Sequence, residues 1–306
     1  MEENEKYKFV KNAVLIDIGG TGARFWSVGP SGQFCCTSSA PIIDSEAALV
    51  SHIRKINRTP SAIVISTGGF IDSSTGVVVR SDSLAWGKKI PLSSILRANF
   101  GGCYVYVIND GIAHARAAAD SPNNASSITL ALGTGPAFGV IDRDSRVSFP
   151  CTGDYWDIFQ LLSPTSNDNK LSEKQQMLNG GAITASALVR LEEEFGELSA
   201  EAIKELGTQV GHFISPFVLL FRPRLVILSG GIVFRYNNNW SDFKCAIEDG
   251  LRDSLPKNSI DDILAFPCIV KSPFLHAAAI RGAMCILADK CGLPISDKVF
   301  SLAVSG

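Results

Sequence analysis

Short apolar runs that end in glycine are the most regular feature of the hydrophobic pattern along this chain. There are three of them: residues 13–18 before Gly19-Gly20-Thr21, residues 128–132 before Gly133-Thr134-Gly135, and residues 225–228 before Ser229-Gly230-Gly231. After the first two glycine clusters the chain resumes as a strand-like run, at residues 24–28 and 137–141. This pattern predicts two β-hairpins, because a Rossmann or P-loop turn would lead into a helix instead.

The remaining pattern alternates between strands and helices. Further strands are predicted at residues 62–66 and 104–108, and helices at residues 46–57, 111–119, 182–195, 199–221, 240–255 and 276–290. In the fourth helix, apolar residues from Ile203 to Phe217 recur at three- and four-residue steps, which predicts one buried stripe. The alternation favours an α/β fold. The polar, turn-rich segment 121–127 separates an N-terminal lobe, 1–120, from a C-terminal lobe, 121–306, although the last helix can pack back on the first lobe.

Composition narrows the class of protein. Of the 306 residues, 46% are hydrophobic and 19% are charged, which is enough apolar material for a substantial core. The 28 basic and 30 acidic side chains leave a formal charge of −2, which argues against nucleic-acid or anionic-membrane partners bound by bulk charge. Residues 1–12 lack the apolar stretch of a secretory signal, and no run approaches the roughly 20 apolar residues of a membrane span. A cytoplasmic protein is therefore expected.

The eight cysteines give no sign of a metal site or a disulfide framework. No Cys-x-x-Cys occurs, and the histidines do not lie at zinc-finger spacing from any cysteine. Reduced cysteines and no structural zinc are therefore expected.

The three glycine clusters suggest two kinds of contact with a nucleotide, one with its phosphates and one with its base. Asp17 ends a buried strand two residues before Gly19, where a carboxylate can hold Mg²⁺ directly or through water while glycines let the backbone approach a phosphate. The alternative is a plain β-turn that Asp17 caps. In the second cluster Thr134 offers a hydroxyl to a phosphate oxygen, and the small residues Gly230 and Gly231 leave room for a flat ligand such as a nucleotide base.

The strand at residues 104–108 delivers Asn109 and Asp110 to its carboxyl end, the edge where ligands bind in α/β sheets. There Asp110 can take the proton of a substrate hydroxyl as general base, and the Asn109 amide can orient the same substrate. The alternative is that one of the two caps the helix that follows. His114, on that alanine-rich helix, is interpreted as a packed or surface side chain rather than a catalytic one.

In order and spacing these motifs resemble those of the ROK family (repressors, open reading frames and kinases), within the actin/hexokinase/Hsp70-like ATPase superfamily. The matching stretches are Asp17-Ile18-Gly19-Gly20-Thr21 with Arg24 for the first phosphate motif, Asn109-Asp110 for the sugar-binding and catalytic-base pair, Gly133-Thr134-Gly135 for the second phosphate motif, and Ser229-Gly230-Gly231 for the adenosine motif. Residues 66–72 with Gly68-Gly69, followed by Gly76, resemble the sugar-contacting loop and hairpin, and residues 277–283 resemble the penultimate helix. The resemblance covers residues 14–288.

The resemblance implies a two-lobed actin-like ATPase fold (ribonuclease H-like), with mixed sheets flanked by helices and an ATP and sugar cleft between the lobes. It implies an ATP-dependent carbohydrate kinase that uses ATP and Mg²⁺, acts on a small-molecule sugar and can form a homodimer. The residues it assigns are Asp110 as catalytic base, Gly68, Gly69, Asn109 and Asp110 for the sugar, Gly19, Gly20, Thr21, Gly133, Thr134, Gly135, Gly230 and Gly231 for the nucleotide, and Asp17 for Mg²⁺.

Two departures separate the chain from the usual family pattern. The region of the zinc motif, residues 152–181, has no cysteine or histidine, and the glutamate expected a few residues after Asn109-Asp110 is absent. Asp154 or Asp157, beside Tyr155 and Trp156, is a candidate replacement for the missing sugar contacts. The alternative is a surface loop whose aromatic residues pack into the core, and residues 163–174 are expected to be an exposed loop.

Three functions are compatible with these motifs. The first is a sugar kinase, the second a catalytically inactive sugar- or nucleotide-binding regulatory protein with the same fold, and the third an ATPase that acts on a non-sugar partner. A DNA-binding repressor is not expected, because only about 12 residues precede the first strand and a helix-turn-helix needs more.

Overall fold

The computed structural model describes residues 3–29, 32–81, 84, 86, 88–119, 126–142, 144, 146–148, 183–255 and 266–294. These residues form two compact units. Unit 1 contains the described residues within Met1–Ala117 and Ala279–Gly306, and unit 2 contains those within Ala118–Ser148 and Asp157–Ala278.

The helices and strands of both units are numbered in chain order, and those of unit 1 come from both the first and the last part of the chain. In chain order the first are α1 (Glu3–Lys11), β1 (Val14–Gly19), β2 (Gly22–Val28), β3 (Phe34–Ala40), α2 (Glu46–Ile56), β4 (Ala62–Thr67), β5 (Phe70–Asp72), β6 (Val77–Arg80), α3 (Leu92–Asn99), β7 (Tyr104–Asn109) and α4 (Asp110–Ala119). Those that follow are β8 (Ser127–Ala131), β9 (Ala137–Ile141), β10 (Val147–Ser148), α5 (Ala185–Phe195), α6 (Ala200–Phe221), β11 (Leu225–Ser229), α7 (Gly231–Arg235), α8 (Trp240–Ser254), β12 (Cys268–Lys271) and α9 (Ala278–Cys291). The chain crosses into unit 2 within α4 and returns to unit 1 within α9.

The sheet of unit 1 has the strand order β3-β2-β1-β4-β7. β2 is antiparallel to both of its neighbours, whereas β1, β4 and β7 run parallel. Helices cover both faces, which is why every residue of β4 is buried. One face packs against α2 and α3 through Leu49, Ile53 and Leu96, and the other packs against α1 and α9 through Val10 and Met284.

The sheet of unit 2 repeats this topology in the order β10-β9-β8-β11-β12, with the same sequence of antiparallel and parallel pairs. The apolar stripe on α6 is confirmed, since Ile203 and Phe217 at its ends are no more than 3% exposed. α6 lies directly against α8 where small residues meet. A Cβ on Gly207 would lie 2.6 Å from the Cβ of Ala246.

Most of the elements predicted from the sequence are present. Both hairpins are confirmed, as β1 with β2 and β8 with β9. The six predicted helices are α2, α4, α5, α6, α8 and α9, with ends that differ by three residues or fewer. The structure adds α1, β3, α3, α7, β10 and β12, all of nine residues or fewer and too short to show a clear period. The α/β class with mixed sheets flanked by helices is confirmed. Within the described ranges, no helix combines the length and apolar character that a membrane crossing requires.

Candidate functional site

The carboxyl ends of the parallel strands in unit 1 gather polar side chains at one sheet edge. Asp17 on β1 lies opposite Ser66 on β4, and Thr67 lies opposite Asn109 on β7. Because successive side chains alternate between faces, Asp17 and Ser66 point toward the α9 face, and Thr67 and Asn109 point toward the α2–α3 face. The sheet register therefore brings side chains from three strands to one edge.

Asp17 forms an ion pair across the first hairpin. Its Oδ2 accepts a hydrogen bond from Arg24 Nη2 at 2.8 Å, and the two residues face each other in the β1–β2 register. Asp17 is nearly buried, whereas the Arg24 side chain is 41% exposed. The hairpin turns tightly between Gly19 and Gly22, and a Cβ on Gly22 would lie 2.6 Å from the carbonyl oxygen of Ala40. The edge thus presents a carboxylate and a guanidinium together beside a glycine turn.

The Asn109 amide caps α4 and also ties the helix to a neighbouring loop. Its Oδ1 accepts hydrogen bonds from the N–H groups of Gly111 at 2.8 Å and Ile112 at 3.4 Å, and its Nδ2 donates to the carbonyl oxygen of Gly69 at 2.9 Å. Asp110 Oδ1 accepts a hydrogen bond from Gly111 N at 2.9 Å. Capping, the alternative interpretation of this pair, is thus observed for Asn109, and the same contacts fix Asp110 at the sheet edge.

The loop between β4 and β5 is held so closely that it requires glycine. Gly69 has a φ of +114°, and a Cβ there would overlap the carbonyl oxygen of Arg80 and lie 2.8 Å from Ser81 Cα. Ser81 Oγ donates to the carbonyl oxygen of Gly68 at 2.6 Å. The loop that contains Gly68 and Gly69 is therefore tied both to Ser81 and to Asn109.

His114 is buried on α4. Burial, and secondly the positive charge of Arg24, lower its pKa to about 4, so the imidazole is neutral near pH 7. On the preceding residue, the carbonyl of Ala113 lies against Gly282 of α9, where a Cβ would overlap it. A neutral histidine between packed helices agrees with the interpretation of His114 as a packed side chain.

Two buried hydroxyls at the same edge were not singled out by the sequence analysis. Ser66 Oγ and Thr67 Oγ1 are fully buried and have no hydrogen-bond partner among the described residues. These two residues are the last of the otherwise apolar strand β4. Two polar residues at the end of an apolar run are the sequence signal that could have identified them. Buried polar groups without partners are uncommon, so these positions stand out from the surrounding core.

In unit 2 the corresponding edge is built from backbone rather than from charged side chains. Leu132 N donates to Ser229 O at 2.8 Å, and Ile232 N donates to Leu132 O at 3.2 Å. Gly230 N donates to Leu275 O at 3.3 Å, which adds the turn after β12. These bonds place the second and third glycine clusters next to each other at the ends of β8 and β11.

The unit 2 edge leaves peptide groups open to solvent. Thr134, Gly135 and Gly231 are exposed, and apart from chain neighbours no atom of the described residues lies within 4 Å of the position that a Cβ would take on Gly135 or Gly231. Gly230, in contrast, packs so tightly that a Cβ would lie 2.8 Å from Leu132 N. Exposed N–H groups in glycine turns can donate hydrogen bonds to phosphate oxygens, so this edge is chemically suited to an anionic, flat ligand.

The residues assigned to the site are divided between the two units. Unit 1 holds Asp17, Gly19, Gly20, Thr21, Gly68, Gly69, Asn109 and Asp110, and unit 2 holds Gly133, Thr134, Gly135, Gly230 and Gly231. Asp154, Asp157 and residues 163–174 lie outside the described residues. Within the described part, no group of three or more His, Cys, Asp or Glu side chains could hold a metal ion. A metal held by a single carboxylate and by a ligand's own oxygens needs no such group.

The chain matches no protein-family model and no curated protein sequence. Solved structures match over most of its length. A ROK family protein from Streptococcus pneumoniae TIGR4, solved with sucrose, is 18% identical at a TM-score of 0.67 and covers 91% of this chain and 98% of its own. A ROK family glucokinase from Streptomyces griseus, solved with glucose and AMPPNP, is 18% identical at a TM-score of 0.58 and covers 89% of this chain and 97% of its own.

A regulator shares the same architecture. A ROK family transcriptional regulator, a homologue of the E. coli MLC protein, is 17% identical at a TM-score of 0.65 and covers 92% of this chain and 79% of its own. The fold implied by the sequence motifs is therefore confirmed: this chain has the fold of the ROK proteins and sugar kinases, an actin-like ATPase fold. At these identities the comparison defines the fold, and the chemistry rests on the residues of the two sheet edges.

Proposed function

We propose that this protein transfers the terminal phosphoryl group of ATP to a hydroxyl of a sugar or sugar derivative, with Asp110 as general base. The observation that carries the proposal is the bond from Asn109 Nδ2 to the carbonyl oxygen of Gly69, because it ties the residue next to Asp110 to the loop assigned to the sugar. The Streptomyces griseus glucokinase was solved with glucose and AMPPNP, which supports a sugar acceptor and a nucleotide donor.

The Asp110 carboxylate accepts the proton of the substrate hydroxyl. The hydroxyl oxygen attacks the γ-phosphorus, and the bond from that phosphorus to the oxygen bridging the β- and γ-phosphates breaks. The products are the sugar phosphate, ADP and protonated Asp110, which returns its proton to water. The Gly111 N–H holds one Asp110 oxygen, which orients the carboxylate before the substrate binds.

The glycine turns provide the phosphate contacts in this proposal. N–H groups of Gly19 to Thr21 and of Gly133 to Gly135 donate hydrogen bonds to phosphate oxygens, and the adenosine lies against Gly230 and Gly231. Phosphoryl transfer depends mainly on positioning and on neutralising charge, so these few groups suffice.

Asp17 is the residue that would hold Mg²⁺, and Arg24 adds positive charge beside it. Mg²⁺ bound with the nucleotide neutralises phosphate charge, and such ions commonly use one or two protein carboxylates together with phosphate oxygens. Asp17 Oδ2 already accepts a hydrogen bond from Arg24 Nη2. A contact from Asp17 to Mg²⁺ through water therefore suits this residue better than a direct one.

The second candidate is a sugar- or nucleotide-binding regulatory protein without phosphoryl transfer. The structural similarity to a ROK family transcriptional regulator favours it.

Measuring ADP release from MgATP, with and without a panel of hexoses and N-acetylhexosamines, tests the proposal. Sugar-dependent ADP supports the kinase, sugar-independent ADP supports an ATPase, and sugar binding without ADP release supports the regulatory protein. Asp110→Asn should retain ATP binding and lower turnover by roughly 10²- to 10⁴-fold. Asp249→Asn, an exposed aspartate on α8, is the matched control and should turn over like the wild type. A fully active Asp110→Asn would remove Asp110 as the base.

A further inference from the structure

Phe234 on α7 is an exposed aromatic residue that directly follows two buried aliphatic residues. Its side chain is 51% exposed, whereas the preceding Ile232 and Val233 are 3% and 0% exposed. Exposed apolar residues are common on protein surfaces, so exposure alone carries no meaning. The position of Phe234 and its aromatic partner are what distinguish it.

Phe234 packs edge-to-face on His276. The two ring centroids are 4.6 Å apart and the ring planes meet at 67°. His276 lies in the short 3₁₀ turn Leu275–Ala277 that leads into α9. The contact therefore links α7 to the turn after β12, while about half of the Phe234 surface stays exposed.

The aromatic pair lies beside the glycine junction of unit 2. Gly230 O accepts a hydrogen bond from Phe234 N at 3.1 Å, and Gly230 N donates to Leu275 O at 3.3 Å, next to His276. Between them Gly231 borders open space. A partly exposed aromatic side chain therefore lies one helical turn from a glycine with open space above it among the described residues, an arrangement that suits a planar ligand.

We propose that Phe234, supported by His276, is the stacking surface for the base of the bound nucleotide. This inference rests on the proposed nucleotide binding at the same edge and adds the residue that holds the base. α7 has only five residues, so the attraction assigned here is aromatic stacking and not the charge of a helix end. Every base has an aromatic face, so stacking holds adenine and guanine to a similar extent.

Calorimetric affinities for ADP, GDP and tripolyphosphate test this assignment, with urea denaturation to confirm folding. Phe234→Ala should weaken ADP and GDP by about 5- to 100-fold each, the range that one stacked base contributes. Tripolyphosphate, which has no base, should bind as before. Phe234→Tyr should retain ADP affinity, whereas Phe234→Leu, which stays apolar but cannot stack, should lose it. Phe195→Ala, at another exposed phenylalanine of unit 2, is the control and should leave all three affinities unchanged.

Each result decides the matter. Unchanged ADP affinity in Phe234→Ala, full affinity in Phe234→Leu, or an equal loss for tripolyphosphate would overturn the stacking role. A wild-type protein that binds neither ADP nor GDP would overturn both this inference and the proposed function. A wild-type protein that binds ADP without phosphorylating any sugar would overturn the proposed function alone, and the Phe234 variants would still decide the stacking role.

Discussion

Replacing Gly230 with alanine tests the backbone junction at the edge of unit 2. Gly230 has φ 95° and ψ 179°, a region almost exclusive to glycine that costs another residue about 1–3 kcal/mol. The added Cβ would also lie 2.8 Å from Leu132 N and overlap the carbonyl oxygen of Leu132, and such overpacking costs about 1–3 kcal/mol more. We therefore expect Gly230→Ala to lower the free energy of unfolding by about 2–6 kcal/mol.

The neighbouring residue supplies the matched control. Gly231 is the first residue of α7, and in the part of the chain that the structure describes no atom beyond its chain neighbours lies within 4 Å of the position of an added Cβ. Gly231→Ala should therefore leave stability unchanged or raise it by up to about 1 kcal/mol. Urea denaturation measures both variants. With a slope of about 2 kcal/mol per molar urea, Gly230→Ala should lower the midpoint by about 1–3 M. Equal midpoints for the two variants would refute the argument from backbone angle and close contact.

Two further predictions concern unit 1. Asn109→Ala removes the cap of α4 and the bond to Gly69, so the free energy of unfolding should fall by about 1–3 kcal/mol. Asn109→Asp keeps the accepting oxygen and should lose less stability. Equal losses for the two variants in urea denaturation would contradict the capping role. Burial, and secondly the positive charge of Arg24, lower the pKa of His114 to about 4. In the unfolded chain the same imidazole is protonated near pH 6.5, whereas in the folded chain it stays neutral. The free energy of unfolding should therefore fall as the pH drops from 7 toward 4. That loss is about 2 kcal/mol between pH 7 and pH 5, and His114→Gln should lack it; the same pH dependence in both proteins would show that another group titrates.

The hairpins were predictable because two independent signals agree at each of them. A buried strand needs an apolar run, and a tight reversal needs glycine, and both occur at residues 13–22. The ion pair between Asp17 and Arg24 could have been derived in the same way. A two-residue turn pairs Gly19 with Gly22, and counting back along both strands places Asp17 opposite Arg24.

The elements that escaped prediction bury too little of themselves to leave a pattern. Val10 is the buried residue among the described side chains of α1, so the helix has no apolar stripe and depends on packing against the unit 1 sheet. Strand β3 is buried at its two ends, Phe34 and Ala40, and has small or polar residues between them. Its strand conformation comes from pairing with β2, which local sequence does not encode.

The two sheets share a topology but not a chemistry, and this difference bears on the choice between kinase and regulatory protein. At the unit 2 edge, residues 132–136, 229–231 and 272–277 contain no acidic side chain, so any ligand there is held by backbone, hydroxyl and aromatic groups. At the unit 1 edge there are two carboxylates, the nearly buried Asp17 and Asp110, whose Oδ1 accepts the Gly111 N–H. Placing a carboxylate away from water is costly unless partners hold it, and here Arg24 and the start of α4 do so. A carboxylate can accept hydrogen bonds from sugar hydroxyls in binding alone, but the proposed phosphoryl transfer also requires it to take up a hydroxyl proton. Asp110→Asn therefore separates the two proposals, because it should lower turnover far more than it lowers sugar affinity.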